Sequence, residues 1–164
     1  MAEIKTVLLA QPGGGNLNAF LDMIAFSEGT DNGRQPTHDR GYDVIVGGAL
    51  FTGYKDHPRV RVSLPRLNIV STAAGRYQIL SRFYDAYKVQ LKLKDFSPMA
   101  QDLIALQLIK ECRATDTIRA GRITDALSLC RSRWASLPKS GYGQFEHSTT
   151  DLIVAYRKAG GVVT

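Results

Sequence analysis

This chain has no long apolar run. The longest candidate near its start, Val7-Leu8-Leu9-Ala10, is far too short to cross a bilayer and too short for the apolar part of a secretory signal. The expectation is a protein made and folded in the cytosol, with no stable membrane insertion; if it works outside the cytosol, something else must let it out. Cysteine is nearly absent. Cys112 and Cys130 fall in two predicted helices, a cytosolic product would keep them reduced, and both read as small buried hydrophobes. The histidines, His38, His57 and His147, show no His-x-x-x-His spacing, and the cysteines no Cys-x-x-Cys. No metal site and no cofactor is expected. No run of five or more like charges marks a nucleic-acid tail.

What is present is an ordinary composition, 44% hydrophobic and 22% charged over 164 residues, enough for one domain with a real core. The net charge of +6 favours a polyanionic target: nucleic acid, an anionic membrane surface, or an acidic cell-wall polymer. Basic residues are spread out, densest at Arg59, Arg61 and Arg66. Charge alone does not choose among the three.

Residues 1–15 end in the breaker cluster Gln11-Pro12-Gly13-Gly14-Gly15 and read as a loose N-terminal extension. Residues 16–164 read as a single domain. Asn18 is a candidate N-cap for a first helix that stops at Gly29. From Gly29 to about Thr72, turn residues recur around short β-branched runs, Asp43-Val44-Ile45-Val46-Gly47-Gly48 and Val60-Arg61-Val62-Ser63. These predict a small antiparallel β region with long loops, and Gly47-Gly48 suits a hairpin turn. After residue 72 the pattern is helical. Tyr77, Leu80, Phe83, Tyr84 and Tyr87 form a stripe across residues 74–90 that reads as core. Ser97-Pro98 opens a helix to about Cys112. Others follow near residues 115–120 and 123–134, the last carrying Trp134. Ser148 with Asp151 starts a final helix that ends at Gly160-Gly161. The fold class is α+β, mainly α: a small antiparallel β lobe and a helical lobe flanking a cleft.

Glu28 closes the apolar run Phe20-Leu21-Asp22-Met23-Ile24-Ala25-Phe26-Ser27. Leu21, Ile24 and Ala25 lie seven, four and three residues before it, offsets that share one helical face. Its carboxyl therefore points toward the buried side where Gly29 ends the helix. Desolvation there raises its pKa, and a carboxylic acid still protonated near neutrality suits a glycosidic oxygen as proton donor. The alternative is a carboxylate in solvent at a frayed helix end.

Three segments carry a resemblance: Ser27-Glu28-Gly29-Thr30, Gly75-Arg76-Tyr77-Gln78, and Gly141-Tyr142-Gly143-Gln144 with Glu146-His147. Strings between them strengthen it, among them Gly41-Tyr42-Asp43-Val44-Ile45-Val46, Asp56-His57-Pro58, Lys94-Asp95-Phe96-Ser97-Pro98 and Trp134-Ala135-Ser136-Leu137-Pro138. From about residue 18 to the end, the chain resembles the endolysins of lambda-like and P2-like phages, which are lysozyme-like lytic transglycosylases. The resemblance implies a lysozyme-like fold and a monomeric enzyme that cuts the β-1,4 bond between N-acetylmuramic acid and N-acetylglucosamine in peptidoglycan glycan strands. It implies products with 1,6-anhydro ends and host-cell lysis. It also implies residence in the host cytoplasm, then the periplasm and wall once a separate holin has permeabilised the membrane. Glu28 matches the family's catalytic residue. Tyr77, Gln78, Tyr142 and Gln144 are the candidate substrate contacts, with Asp43 a further candidate near the bound sugar. Tyr77 reads nearly as well as a core aromatic. Residues 58–70 and 136–146 would form two lips over the cleft, the first basic enough to meet peptide-stem carboxylates.

Among the other acids, Asp31 and Asp39 read as turn residues, and Glu146 as the partner of a nearby Arg or Lys. The runner-up is a hydrolytic lysozyme using Glu28 with Asp43. A basic nucleic-acid-binding module and a non-catalytic wall-binding domain belong to other classes. No nucleic-acid motif supports the former.

Overall fold

The computed structural model describes all 164 residues. Helix α1 is Lys5–Leu9, α2 Gly14–Ser27, α3 Ser81–Gln90, α4 Pro98–Glu111, α5 Thr115–Arg119, α6 Ile123–Cys130 and α7 Thr149–Lys158, with strands β1 Val62–Leu64 and β2 Ile69–Ser71 between α2 and α3. This is the expected mainly helical α+β architecture. Its centre is α2, where Ala19, Phe20, Leu21, Met23, Ile24 and Ala25 have no exposed surface. A helix apolar all round must be covered all round, and α1, α5 and α7 pack against it.

The N-terminal segment is not loose. Ala2, Ile4 and Leu8 are buried in the main core, and the Ile4 amide donates to Asp102 Oδ2 at 2.8 Å. The glycine cluster is a tight turn that folds α1 back onto α2. Gly13 opens α2 in the left-handed region, at φ 68°, and a Cβ on Gly14 would lie 1.7 Å from the Leu8 carbonyl oxygen. Asn18 is consequently not a cap. It sits inside α2, buried, with its side-chain amide 3.4 Å from Asp22.

The β lobe is smaller than its sequence suggests. β1 and β2 pair antiparallel with Val62 opposite Ser71 and Leu64 opposite Ile69. The run at 43–48 makes only isolated bridges, Val44 to Leu50 and Ile45 to Ala74. Gly47 and Gly48 do turn the chain there, both at positive φ. The expected helix over 74–90 begins only at Ser81. Before it, Ala74 and Ile79 exchange both backbone hydrogen bonds, at 3.0 and 2.9 Å. Gly75 and Gln78 take left-handed φ of 78° and 49° inside that loop.

This turn is pinned by the buried Gln101, which accepts from the Arg76 amide at 2.9 Å and donates to the Phe96 and Tyr42 carbonyls at 3.0 and 3.2 Å. A Cβ on Gly75 would stand 2.1 Å from Gln101 Oε1. Gly75→Ala is therefore expected to cost about 3 kcal/mol or more, from left-handed strain plus a displaced buried amide. Urea denaturation checks this.

In the helical lobe two caps hold as read. Ser97 accepts from the Ala100 amide and Pro98 occupies the first turn of α4. Ser148 accepts from the Asp151 amide and opens α7. Trp134 lies beyond α6, which ends at Cys130. It is buried and donates Nε1–H to the Tyr77 carbonyl at 3.3 Å, which ties the end of the helical lobe to the 74–79 turn.

Candidate active site

Between the two lobes lies a cavity of about 370 Å³, with Glu28, Gln78, Phe83, Tyr142 and Gln144 in its wall. A larger one, about 630 Å³, lies elsewhere against Asp22, Phe26, Asn32 and Lys158 and does not include Glu28. Glu28 is the residue that ends α2. Its amide still donates to the Ile24 carbonyl at 2.8 Å, and Gly29, at φ 73°, breaks the helix immediately after it. The carboxyl is thus delivered by the central buried helix of the protein to the edge of its core.

Ser136 Oγ donates to Glu28 Oε1 at 2.5 Å, and Ser27 Oγ donates to Ser136 Oγ at 2.6 Å. Burial pushes the Glu28 pKa up to about 7, and the hydrogen bonds from Ser136 only partly oppose that rise. Near neutral pH a large fraction of Glu28 therefore carries a proton, the state a general acid requires. Sequence reasoning did not find Ser136. It lies 108 residues from Glu28, and one serine in a loop carries no periodic signal.

The same wall brings together the other expected contacts. Gln78 sits in the turn rather than on a helix. Its Nε2 donates to the Gly75 and Val44 carbonyls at 3.0 and 3.3 Å, which holds the amide plane at the cleft. Tyr142 is 53% exposed, with its hydroxyl on the Ser132 carbonyl at 2.8 Å, so its ring stands free as a flat apolar surface. Gln144 follows on the same lip. Tyr77 also borders the cleft, but it is buried, and its hydroxyl donates to Asp102 Oδ1 at 2.6 Å. Asp102 also accepts from the Tyr42 hydroxyl at 2.7 Å. The phenol of Tyr77 belongs to the core, as its alternative reading had it. Phe83, read as part of the core stripe, is 44% exposed on the cleft wall instead.

Asp43 is not in this group. It is buried, accepts from Thr37 Oγ1 at 2.5 Å and from the His38 amide at 2.9 Å, and lines no part of the cleft. It organises the loop beneath the β lobe. Glu146 does not meet a basic side chain. It gathers the Lys139 amide, the Ser140 hydroxyl and the Gly141 amide at 2.7, 2.8 and 3.0 Å, shaping the 136–146 lip from within. On the opposite lip Arg59 is spent on Asp85 and Asp56, while Arg61 and Arg66 make no ion pair. No group of three or more His, Cys, Asp or Glu is placed to hold a metal ion, and no helix is long and apolar enough to cross a membrane.

The family model described as Endolysin matches residues 18–163. The endolysin of Escherichia phage lambda is 61% identical over 146 residues, covering 88% of this chain and 91% of that protein. The endolysin of Escherichia phage P2 is 53% identical over 156 residues, covering 90% and 94%. Among solved structures, bacteriophage lambda lysozyme complexed with a chitohexasaccharide matches with a TM-score of 0.89 at 58% identity, covering 92% of this chain and 97% of that one. A second structure of the lysozyme from bacteriophage lambda matches with a TM-score of 0.85 at 57% identity.

Proposed function

This chain belongs to the endolysin family, and we propose that it cleaves the β-1,4 bond between N-acetylmuramic acid and N-acetylglucosamine in peptidoglycan as a lytic transglycosylase. The lambda lysozyme with a chitohexasaccharide supports an elongated glycan in the corresponding cleft. The observation that carries the finer reading is the solitary acid. Glu28 is the one carboxyl lining the cleft. An ordinary glycosidase needs a second carboxylate, either to activate water or to form a glycosyl intermediate.

Protonated Glu28 gives its proton to the leaving glycosidic oxygen. The carboxylate so formed takes a proton from the C6 hydroxyl of the same muramic acid residue, whose oxygen closes on C1. No water is consumed, and Glu28 ends the cycle protonated again. The C6 hydroxyl is tethered to the reacting sugar, so its effective concentration far exceeds that of an unpositioned water. Gln78, with its amide hydrogens on the Gly75 and Val44 carbonyls, offers its side-chain oxygen as an acceptor, Gln144 offers an amide that can donate to and accept from acetamido and hydroxyl groups, and Tyr142 and Phe83 offer faces for the sugar rings. The cleft is complete within one chain, which supports action as a monomer. Access to the wall depends on a separate permeabilising protein, a holin.

Digestion of purified peptidoglycan in oxygen-18 water tests the reading. Muropeptides should end in 1,6-anhydro-N-acetylmuramic acid, lighter by one water and unlabelled. Reducing ends carrying oxygen-18 would make the enzyme a hydrolase. Asp43→Asn should lower turnover a few-fold and stability by about 1–2 kcal/mol, through the loosened 37–43 loop, and leave the product unchanged. With Glu28 titrating near 7, kcat/KM should fall on the alkaline side of that value, as the free enzyme loses its acid.

A further inference from the structure

Ser136 joins the catalytic wall to the lip. Its hydroxyl accepts from Ser27 Oγ and donates to Glu28 Oε1. Its carbonyl accepts from the His147 amide at 2.9 Å, which closes the lip at its root. The direction of the chain matters. Ser27 spends its single proton on Ser136, so the single proton of Ser136 is committed to Glu28. Building on the reading of Glu28 as proton donor, we propose that Ser136 is a positioning residue that holds one carboxyl oxygen of Glu28 as an acceptor and so confines the acidic proton to the other. An acid with both oxygens free would divide its proton between two positions. Pinned by Ser136, it presents the proton from one.

No other side chain competes for this role. The charges lining the cleft besides Glu28 are Arg82 and Arg133, and its other titratable groups are Tyr77 and Tyr142. Arg133 faces Glu111 at 3.2 Å, Tyr77 faces Asp102, and Tyr142 faces the Ser132 carbonyl. From the 146–147 end of the lip, Glu146 is turned onto its own loop. Desolvation and Ser136 alone set the titration of Glu28.

The test is a carbon-13 NMR titration of the Glu28 carboxyl, paired with pH profiles of kcat/KM, in wild type, Ser136→Ala and Ser136→Thr. The hydroxyl favours the carboxylate, so its loss should move the midpoint and the alkaline limb upward by about one pH unit. Turnover should fall about tenfold through the lost orientation. Thr keeps the hydroxyl and should restore both. A folded Ala variant with an unmoved midpoint, or a Thr variant that behaves like Ala, overturns the role of Ser136 while Glu28 stands. A wild-type carboxyl titrating in the ordinary carboxylate range overturns the reading of Glu28 and the role of Ser136 together.

Discussion

Glu28→Gln is expected to reduce wall-lytic activity about a thousandfold or more and to leave the fold intact. The amide fills the same space and still accepts from Ser136 Oγ, but it has no proton to give to the glycosidic oxygen and cannot take one from the C6 hydroxyl. The same substitution should stabilise the protein, and only in one pH window. Glu28 has a folded pKa of about 7 against an ordinary value of 4.5. The folded state therefore binds more protons than the unfolded chain between those values, and wild-type stability falls as pH rises through them. Glutamine is neutral throughout. The variant should gain at most about 3 kcal/mol over wild type above pH 8 and less than about 1 kcal/mol near pH 5. Turbidity clearing of purified walls and denaturation at the two pH values check both halves. Strong lysis by the variant would remove Glu28 from the chemistry. A stability gain that does not grow with pH would remove its burial as the cause.

The position of Glu28 is legible because it depends on local pattern. An apolar helix of period 3.6 aims residue 28 at the core, and glycine stops the helix there. The starts of α4 and α7 are legible for the same reason, since Ser97-Pro98 and Ser148 with Asp151 act on amides a turn away. Signals that are short or non-local fail. The Ile4 and Leu8 pair is a single helical turn, too brief to outweigh the glycines after it, yet in the folded protein it covers α2. Gln78 sits in an apolar run that reads as helix, but its left-handed φ follows from the double bridge between Ala74 and Ile79. Asp43 shares a strand-like string with residues beside the cleft, and its side chain turns instead to Thr37 and the His38 amide. Ser136 reaches Glu28 across most of the chain. Local rules place the acid; tertiary contacts decide what surrounds it.

Arg76 should give the largest loss of stability of any single substitution near the site. Its guanidinium is buried, 2.8 Å from Asp22 of α2 and 2.6 Å from Asp31 of the loop after Glu28. It also donates to the Arg40 carbonyl and stacks 5.3 Å from the Tyr42 ring. Its own carbonyl accepts from Thr30 Oγ1 at 2.6 Å. One side chain thus fastens the segment after Glu28 to the helix before it and to the β lobe. Arg76→Met keeps most of the volume but takes from Asp22 and Asp31 the buried guanidinium they share, leaving Asp31 without its cation and Asp22 with only the exposed Met1 ammonium at 3.6 Å. The expected cost is about 3–5 kcal/mol. Arg76→Lys should recover little, because a single ammonium cannot span two carboxylates and a carbonyl from one rigid plane. The remedy that should work removes the stranded charge. Adding Asp22→Asn to Arg76→Met should cost less than the sum of the two single changes, by about 1–3 kcal/mol, the sign of a direct coupling. Urea denaturation of the four proteins measures it. A strictly additive cycle would mean that Arg76 acts by volume and not by charge.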